Sequence, residues 1–178
     1  MILTLDKLKE LNACAKGTEW FRVSGCKTVE GTCEELLTED RFNWANWLIP
    51  RLLSHLNKVK YAYFPAKEVL PIFEKDFPDD FRVRNCIAAI ERYLTDPTEE
   101  NLELLKTAAT YAATAAYVAN AAIAAATAAA YASYAAYVAI AAITTAAATA
   151  AQALPTKEFK QRIIRNGLKL LKEQEGNK

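Results

Sequence analysis

A long tract in the second half of the chain lacks charged side chains and consists mostly of alanine. Residues 107–155 contain no Asp, Glu, Lys or Arg, and 27 of the 47 positions from Thr107 to Ala153 are alanine. Because alanine has the highest intrinsic helix propensity, the tract is predicted to be helical whatever packs against it. Tyr, Val and Ile recur at regular places in the tract, which indicates burial rather than disorder.

The tract contains an internal duplication with an offset of 20 residues, in which residues 107–123 and 127–143 agree at 13 of 17 positions. Each residue of an α-helix rotates the chain by about 100°, so one continuous helix would carry the two copies on nearly opposite sides. A single helix over residues 96–153 would also extend for roughly 85 Å, which exceeds a compact domain of this size. A break near residues 124–127 avoids both problems. An alanine-rich helical hairpin is therefore predicted for residues 96–153.

Other interpretations of the tract are weaker. Its length and lack of charge permit a membrane span, but alanine is only weakly apolar and strongly apolar residues are few. An ice-binding helix would need threonine at 11-residue steps, whereas Val118 and Ala121 lie 11 residues after Thr107 and Thr110. The alanine faces could also pack between two chains, so a homodimer is compatible with this sequence.

Helix-start signals precede two further segments. Thr32 and Glu35 have the spacing of a capping box, which predicts a helix that begins there. Asp96, Pro97 and Glu99 match an N-cap, a first-turn proline and a third-position carboxylate. A long helix is predicted to begin at Pro97.

Prolines interrupt the helical pattern of residues 58–76. Pro65 and Pro71 each remove an amide donor, so a kinked helix or two short helices are predicted. Residues 77–80, Phe-Pro-Asp-Asp, are typical of a turn, and Asp80 is expected to cap the next helix.

The predicted fold class is all-α, a single-domain helical bundle over residues 1–178. N-terminal helices in residues 1–95 precede the hairpin of residues 96–153. Residues 156–173 have one broad apolar arc with basic residues on the remainder, which predicts an amphipathic closing helix.

Three groups of side chains are candidate contacts for a partner. Trp47 shares a helical spacing with Trp44, Leu48, Arg51 and His55, which is typical of core packing but also of an exposed aromatic anchor. An acidic run at the start of the long helix either stabilises the helix dipole or forms a docking patch. A basic stripe on the closing helix is either a solvated face or a contact for an acidic surface. The candidate contact residues are Trp47, Glu99, Glu100, Glu103, Arg162, Arg165 and Lys169.

No spacing in the chain matches a catalytic or metal-binding motif, and no cofactor is predicted. The four cysteines include no C-x-x-C pair, and they are expected to be reduced thiols in the cytosol. A zinc site of these cysteines and His55 would require residues far apart in sequence to come together. An enzyme would have to use His55 near Arg51, or the adjacent Asp79 and Asp80, which are more typical of a turn. A net charge of +1 argues against general nucleic-acid binding.

Short elements distributed along nearly the whole chain occur in a characteristic order. They are Leu11, Ala13-Cys14, Gly17 and Trp20-Phe21; Trp44, Trp47-Leu48 and Arg51-Leu52; Tyr61-Ala62, Val69-Leu70 and Phe73-Glu74; then Pro78-Asp79-Asp80, Arg84 and Ile87-Ala88-Ala89. With the Ala/Tyr tract and the charged last helix, they resemble the alanine-rich immunity-protein family of phages and prophages. The resemblance implies an all-α, non-catalytic protein in the cytoplasm of a bacterial host, and the family name implies neutralisation of a toxin. It carries over no binding residue.

Two hypotheses of function follow. In the first, the chain is a non-enzymatic protein that binds and neutralises a toxin or a host defence effector such as a CRISPR nuclease. In the second, it sequesters a nucleotide signal between its helices, with tyrosines stacking on the base and arginines holding phosphate.

Overall fold

The computed structural model describes residues 1–119 and 157–176, and every regular element in these ranges is an α-helix. The predicted all-α fold class is thereby confirmed, whereas the break and second arm of the predicted hairpin lie outside the described residues. An isolated antiparallel bridge joins Ile2 to Thr28. The helices are α1 (Leu5–Glu10), α2 (Ala15–Ser24), α3 (Val29–Thr38), α4 (Phe42–Leu52), α5 (His55–Asp76), α6 (Arg82–Thr95), α7 (Glu99–Ala119) and α8 (Lys157–Gly176).

The helices group into two compact units that do not follow chain order. Of the described residues, 1–54 and 157–176 belong to the first unit, and 55–119 belong to the second. The predicted closing helix, observed as α8, therefore belongs with α1 to α4. The predicted division after residue 95 does not coincide with either unit, because α5 and α6 group with α7. The single-domain organisation stays a prediction.

The apolar arc of α8 forms much of the core of the first unit. Ile164 is fully buried and Leu171 is 3% exposed, and α8 packs on α3 and α4. On α4, Ala45 and Ile49 lie one turn apart and both are fully buried. A small and a branched side chain on the same face let the two helices interdigitate closely. The predicted amphipathic character of the closing helix is thus confirmed.

Two ion pairs flank the apolar contact between α3 and α8. Lys172 Nζ lies 2.7 Å from Glu30 Oε1, and Arg165 Nε lies 3.7 Å from Glu34 Oε1. Glu34 follows Glu30 along α3, whereas its partner Arg165 precedes Lys172 along α8. The two helices are therefore antiparallel. Part of the basic side of α8 therefore faces acidic side chains of its own unit.

The Gln174 side chain holds the C-terminal end of α4. Its Nε2 donates to the Leu52 carbonyl at 3.2 Å, and its Oε1 accepts from the Ser54 amide at 2.6 Å. Carbonyls and amides just beyond a helix end lack intrahelical partners and require other groups. One amide side chain supplies both a donor and an acceptor at this end of α4.

In the second unit, α6 contacts both α5 and α7. The α7 face that packs inward carries Leu105, Ala109 and Ala112, which are 0–1% exposed. Thr107 and Thr110 lie on the exposed side. In the described part of the tract, the buried alanines and the exposed threonines thus lie on different sides of α7.

Two predicted helix starts are wrong by a few residues. Helix α3 begins at Val29, because Thr28 Oγ1 accepts the Gly31 amide at 3.1 Å; Thr32 is buried within the helix. Helix α7 begins at Glu99, two residues later than predicted.

The start of α7 differs because Thr98 takes the capping role that was predicted for Asp96. Thr98 Oγ1 accepts the Asn101 amide at 3.3 Å and acts as the cap. The Asp96 carbonyl and carboxylate instead accept from Asn101 Nδ2 at 2.8 and 3.1 Å.

Helix α5 continues through both prolines over 22 residues, so the alternative of two short helices is wrong. A proline inside a helix removes one backbone hydrogen bond and clashes with the preceding turn. Pro65 is buried beside Ala66, and Phe73 beyond Pro71 is 1% exposed. Packing of the α5 face against α6 offsets the missing bonds.

The Gln174 contacts make a testable contribution to stability. Gln174→Ala removes both bonds to the end of α4 and is expected to lower the free energy of unfolding by about 1–2 kcal/mol, as measured by urea denaturation. Gln161→Ala is the matched control, because Gln161 lies on the same helix and its side chain has no hydrogen-bond partner in residues 1–119 or 157–176. The control should change stability by less than about 0.5 kcal/mol. Equal effects of the two variants would contradict the capping role.

Candidate functional site

One edge of α4 carries two tryptophans and an arginine in the first unit. Trp44, Trp47 and Arg51 are three and four residues apart, so they fall within an arc of about 60° on the helix. Both tryptophans are half-buried, and Arg51 is exposed. His55 was predicted to share this face, but it belongs to α5, since α4 ends at Leu52.

Each of these tryptophans has an arginine over its ring. The Arg51 guanidinium carbon lies 4.2 Å from the Trp47 ring centroid, and that of Arg41 lies 4.6 Å from the Trp44 centroid. Arg51 Nη1 also donates to the Trp47 carbonyl at 3.0 Å. Stacking on the indole together with a backbone bond holds the Arg51 guanidinium in one orientation.

Glu39 ties Trp20 of α2 to this edge. Its Oε2 accepts from Trp20 Nε1 at 2.8 Å and from Arg41 Nε at 2.6 Å. The Trp20 ring meets the Trp44 ring edge to face, with centroids 6.1 Å apart. The tryptophan–arginine surface, defined as Trp20, Glu39, Arg41, Trp44, Trp47 and Arg51, is thus joined by side-chain contacts across two helices and a loop.

Sequence reasoning singled out Trp47 alone among the residues of this surface as a site candidate. Arg41 and Arg51 precede and follow tryptophans at helical steps of three and four, and this spacing was the available signal. Nothing local in the sequence indicated the contacts of Glu39 with Trp20, which lies 19 residues away.

The predicted acidic run lies at the start of α7 in the second unit. Glu99 and Glu100 are exposed in its first turn, where negative charge is stabilised by the helix dipole. Glu103 Oε1 accepts from Lys106 Nζ at 2.5 Å. Leu104 is 43% exposed between these charges. The helix-stabilising explanation accounts for the acidic residues, and docking stays a prediction.

The predicted basic stripe is largely engaged within its own unit. Arg165 pairs with Glu34 across the α3–α8 contact, as described above, and Lys169 Nζ lies 3.8 Å from Glu173 Oε1 on the same helix. Arg162 is exposed. The seven candidate contact residues therefore fall in two units, with Trp47 and the stripe in the first and the acidic run in the second.

The side chains considered for an enzyme or zinc site have structural surroundings. The His55 ring meets Tyr93 edge to face at 6.2 Å. Cys33 and Cys86 are fully buried thiols, and burial raises the pKa of each to about 12. In the described ranges, no group of three or more His, Cys, Asp or Glu side chains converges as for a metal ion. No helix within residues 1–119 and 157–176 has the length and hydropathy to cross a membrane.

Three titratable side chains converge between α5 and α6, and sequence reasoning did not identify them. The Tyr63 hydroxyl donates to Glu91 Oε1 at 2.5 Å and accepts from Lys67 Nζ at 2.6 Å. The hydrogen bond from Tyr63 and then that from Lys67 lower the pKa of Glu91, while burial and Glu91 raise the pKa of Tyr63. All three groups satisfy one another, so the cluster is a bridge between two helices.

Comparison with known proteins adds no relationship. No protein-family model, curated protein or solved structure matches the chain. The resemblance to the immunity-protein family therefore stays a prediction.

The Glu91 bridge predicts a specific pH dependence of stability. The pKa of Glu91 is depressed in the folded chain, so its stabilisation is present above its ordinary value of 4.5 and is lost as the pH falls through the folded pKa. Glu91→Gln should therefore lower the unfolding free energy at pH 7 by less than about 1 kcal/mol, because the group is exposed. The difference from the parent chain should shrink in denaturation series carried below pH 4.5.

Asp79→Asn provides the control for this series. Asp79 is an exposed carboxylate of the same unit without a partner in the part of the chain that the structure describes. Its stability difference from the parent should stay small at every pH. A Glu91→Gln difference that is constant from pH 7 to pH 3 would show that the bridge does not stabilise the fold.

Proposed function

We propose that this chain is a non-catalytic binding protein that neutralises another macromolecule, either a toxin or a host defence effector such as a CRISPR nuclease. The proposed setting is the cytoplasm of a bacterial host. The resemblance to phage immunity proteins supports the proposal, and so does the surface formed around α4.

The observation that carries the proposal is the pair of half-buried tryptophans stacked by arginines. Tryptophan and arginine are over-represented among residues that dominate binding energy at protein interfaces. Here Arg51 is already held over Trp47, at 4.2 Å from its ring, so little side-chain entropy would be lost on binding. Such preorganisation lowers the entropic cost of binding a partner.

The alternative of a sequestered nucleotide has less support. Phosphate binding needs guanidinium groups that are available to the ligand. In the described ranges, many arginines are already bound to carboxylates: Arg22 to Glu19, Arg41 to Glu39, Arg82 to Asp80, Arg84 to Glu74 and Arg165 to Glu34.

Partner capture with surface variants tests the proposal. The tagged chain is expressed in a bacterial host in which toxins and defence systems are induced one at a time, and partners are quantified by mass spectrometry together with cell survival. We expect one stoichiometric protein partner. Trp47→Ala and Arg51→Ala should each reduce its recovery at least about tenfold, because truncation of an interface hot spot costs about 2 kcal/mol or more.

Arg22→Ala is the matched control. Arg22 is an exposed arginine of the same unit, stacked on no tryptophan and paired with Glu19 at 2.6 Å. It should retain the partner, and circular dichroism should show that all three variants are folded. Absence of a stoichiometric partner under every induced system would contradict the proposed function. If both surface variants retain the partner, the chain is a binding protein, but the partner does not bind at the tryptophan–arginine surface.

A thermal-denaturation panel of nucleotides separates the two functions. A nucleotide at a hundred times its dissociation constant would stabilise the fold by about 2.7 kcal/mol. We expect no shift across the panel. A shift of that size would favour the sequestration hypothesis.

A further inference from the structure

The turn between α5 and α6 surrounds a depression on the second unit. Residues 77–82 and Asn85 line a space of about 720 Å³ that is open to solvent. The Asp80 amide donates to the Phe77 carbonyl at 3.2 Å, which confirms the predicted turn. Asp80 Oδ1 accepts the Arg82 amide at 3.1 Å. The prediction that Asp80 caps α6 is nevertheless wrong, because the N-cap position is Phe81, which makes no side-chain capping bond.

Two phenylalanines form apolar walls of the depression. Phe77 is 37% exposed and Phe81 is 50% exposed, so both rings are accessible from solvent. The Phe77 ring packs on the buried Phe73, with centroids 5.1 Å apart. The Arg84 guanidinium carbon lies 5.3 Å from the Phe81 centroid. Both exposed rings are therefore supported from one side.

The charges of the depression leave one carboxylate without a partner. Arg82 binds Asp80 through Nε at 2.9 Å and through Nη2 at 2.6 Å, and the Arg82 side chain is the main cause of the lowered Asp80 pKa. Arg84 is paired with Glu74 at 2.6 Å. Within the described residues, the Asp79 carboxylate and the Asn85 side-chain amide have no hydrogen-bond partner, whereas the Asn85 backbone amide donates to the Phe81 carbonyl at 2.8 Å. The depression is thus lined by one unpaired carboxylate and two exposed aromatic rings.

From this arrangement we propose that the depression binds an arginine side chain presented by a partner polypeptide. A guanidinium stacks on phenylalanine through cation–π attraction and donates in a fork to a carboxylate. Its aliphatic stem would cover the apolar walls. An anionic group is disfavoured, because Asp79 repels it and the nearby arginines are already bound to carboxylates. This site is independent of the tryptophan–arginine surface.

Titration of the full isotopically labelled chain with two short peptides tests the assignment by nuclear magnetic resonance. One peptide carries a single central arginine between leucines, and its twin carries citrulline, which keeps the shape but removes the charge. The arginine peptide should cause saturable shifts of the amides of Phe77, Asp79, Phe81 and Asn85. The citrulline peptide should bind about fivefold more weakly, the loss expected for one cation–π contact and one exposed ion pair.

Two carboxylate variants complete the test. Asp79→Asn should weaken the arginine peptide about twofold to threefold, the loss expected for one exposed ion pair, whereas Glu35→Gln should leave its affinity unchanged. Glu35 is an exposed carboxylate of the first unit that has no side-chain partner in residues 1–119 or 157–176. The assignment is overturned if the arginine peptide gives no saturable shift at these amides. It is also overturned if citrulline binds equally well, or if Asp79→Asn binds as tightly as the parent.

Discussion

The first unit depends on burial of the apolar arc of α8 against α3 and α4. Ile164, Leu168 and Leu171 are almost fully buried there. Burial of each such side chain contributes about 1.5–3 kcal/mol, so the arc as a whole is comparable with the net stability of a small domain. The ion pairs to α3 and the Gln174 contacts with α4 are aligned by this apolar contact. Neither would hold α8 in place alone, because exposed pairs contribute little.

The strongly periodic helices could be predicted from sequence, whereas their exact starts could not. The apolar arc of α8 repeats at helical spacing, and the sequence therefore predicts it directly. Thr32 was chosen as a cap because it precedes Glu35 by three residues, but the Val29 amide donates to the Met1 carbonyl and fixes the start of α3 at Thr28. Thr28 also caps α3 locally, since its Oγ1 accepts the Gly31 amide. The sequence thus offers two threonines as caps, and the contact of Val29 with the distant Met1 favours the earlier one.

In the tryptophan–arginine surface too, contacts between residues close in sequence could be predicted, whereas contacts between distant residues could not. The stacking of Arg51 on Trp47 is a contact within one turn of α4 and follows from its spacing. The hydrogen bond from Trp20 to Glu39 joins α2 to the loop before α4, and no periodicity predicts it. The sequence also did not predict that both α4 tryptophans are partly exposed, since the same spacing is typical of a buried helix face. Packing of the neighbouring helices determined how much of each ring stays accessible.

The grouping of α8 with the first four helices has a consequence for biosynthesis. Residues 55–156 separate the two segments of the first unit, so the second unit is inserted into the first along the chain. At about 5–20 residues per second, a ribosome needs roughly 5–20 s to translate that insertion. During this interval α3 and α4 have left the ribosome while the side chains that cover their apolar faces have not been made. The apolar faces of α3 and α4 therefore stay uncovered until α8 has been synthesised. A chaperone that binds apolar segments would bind these faces during that interval.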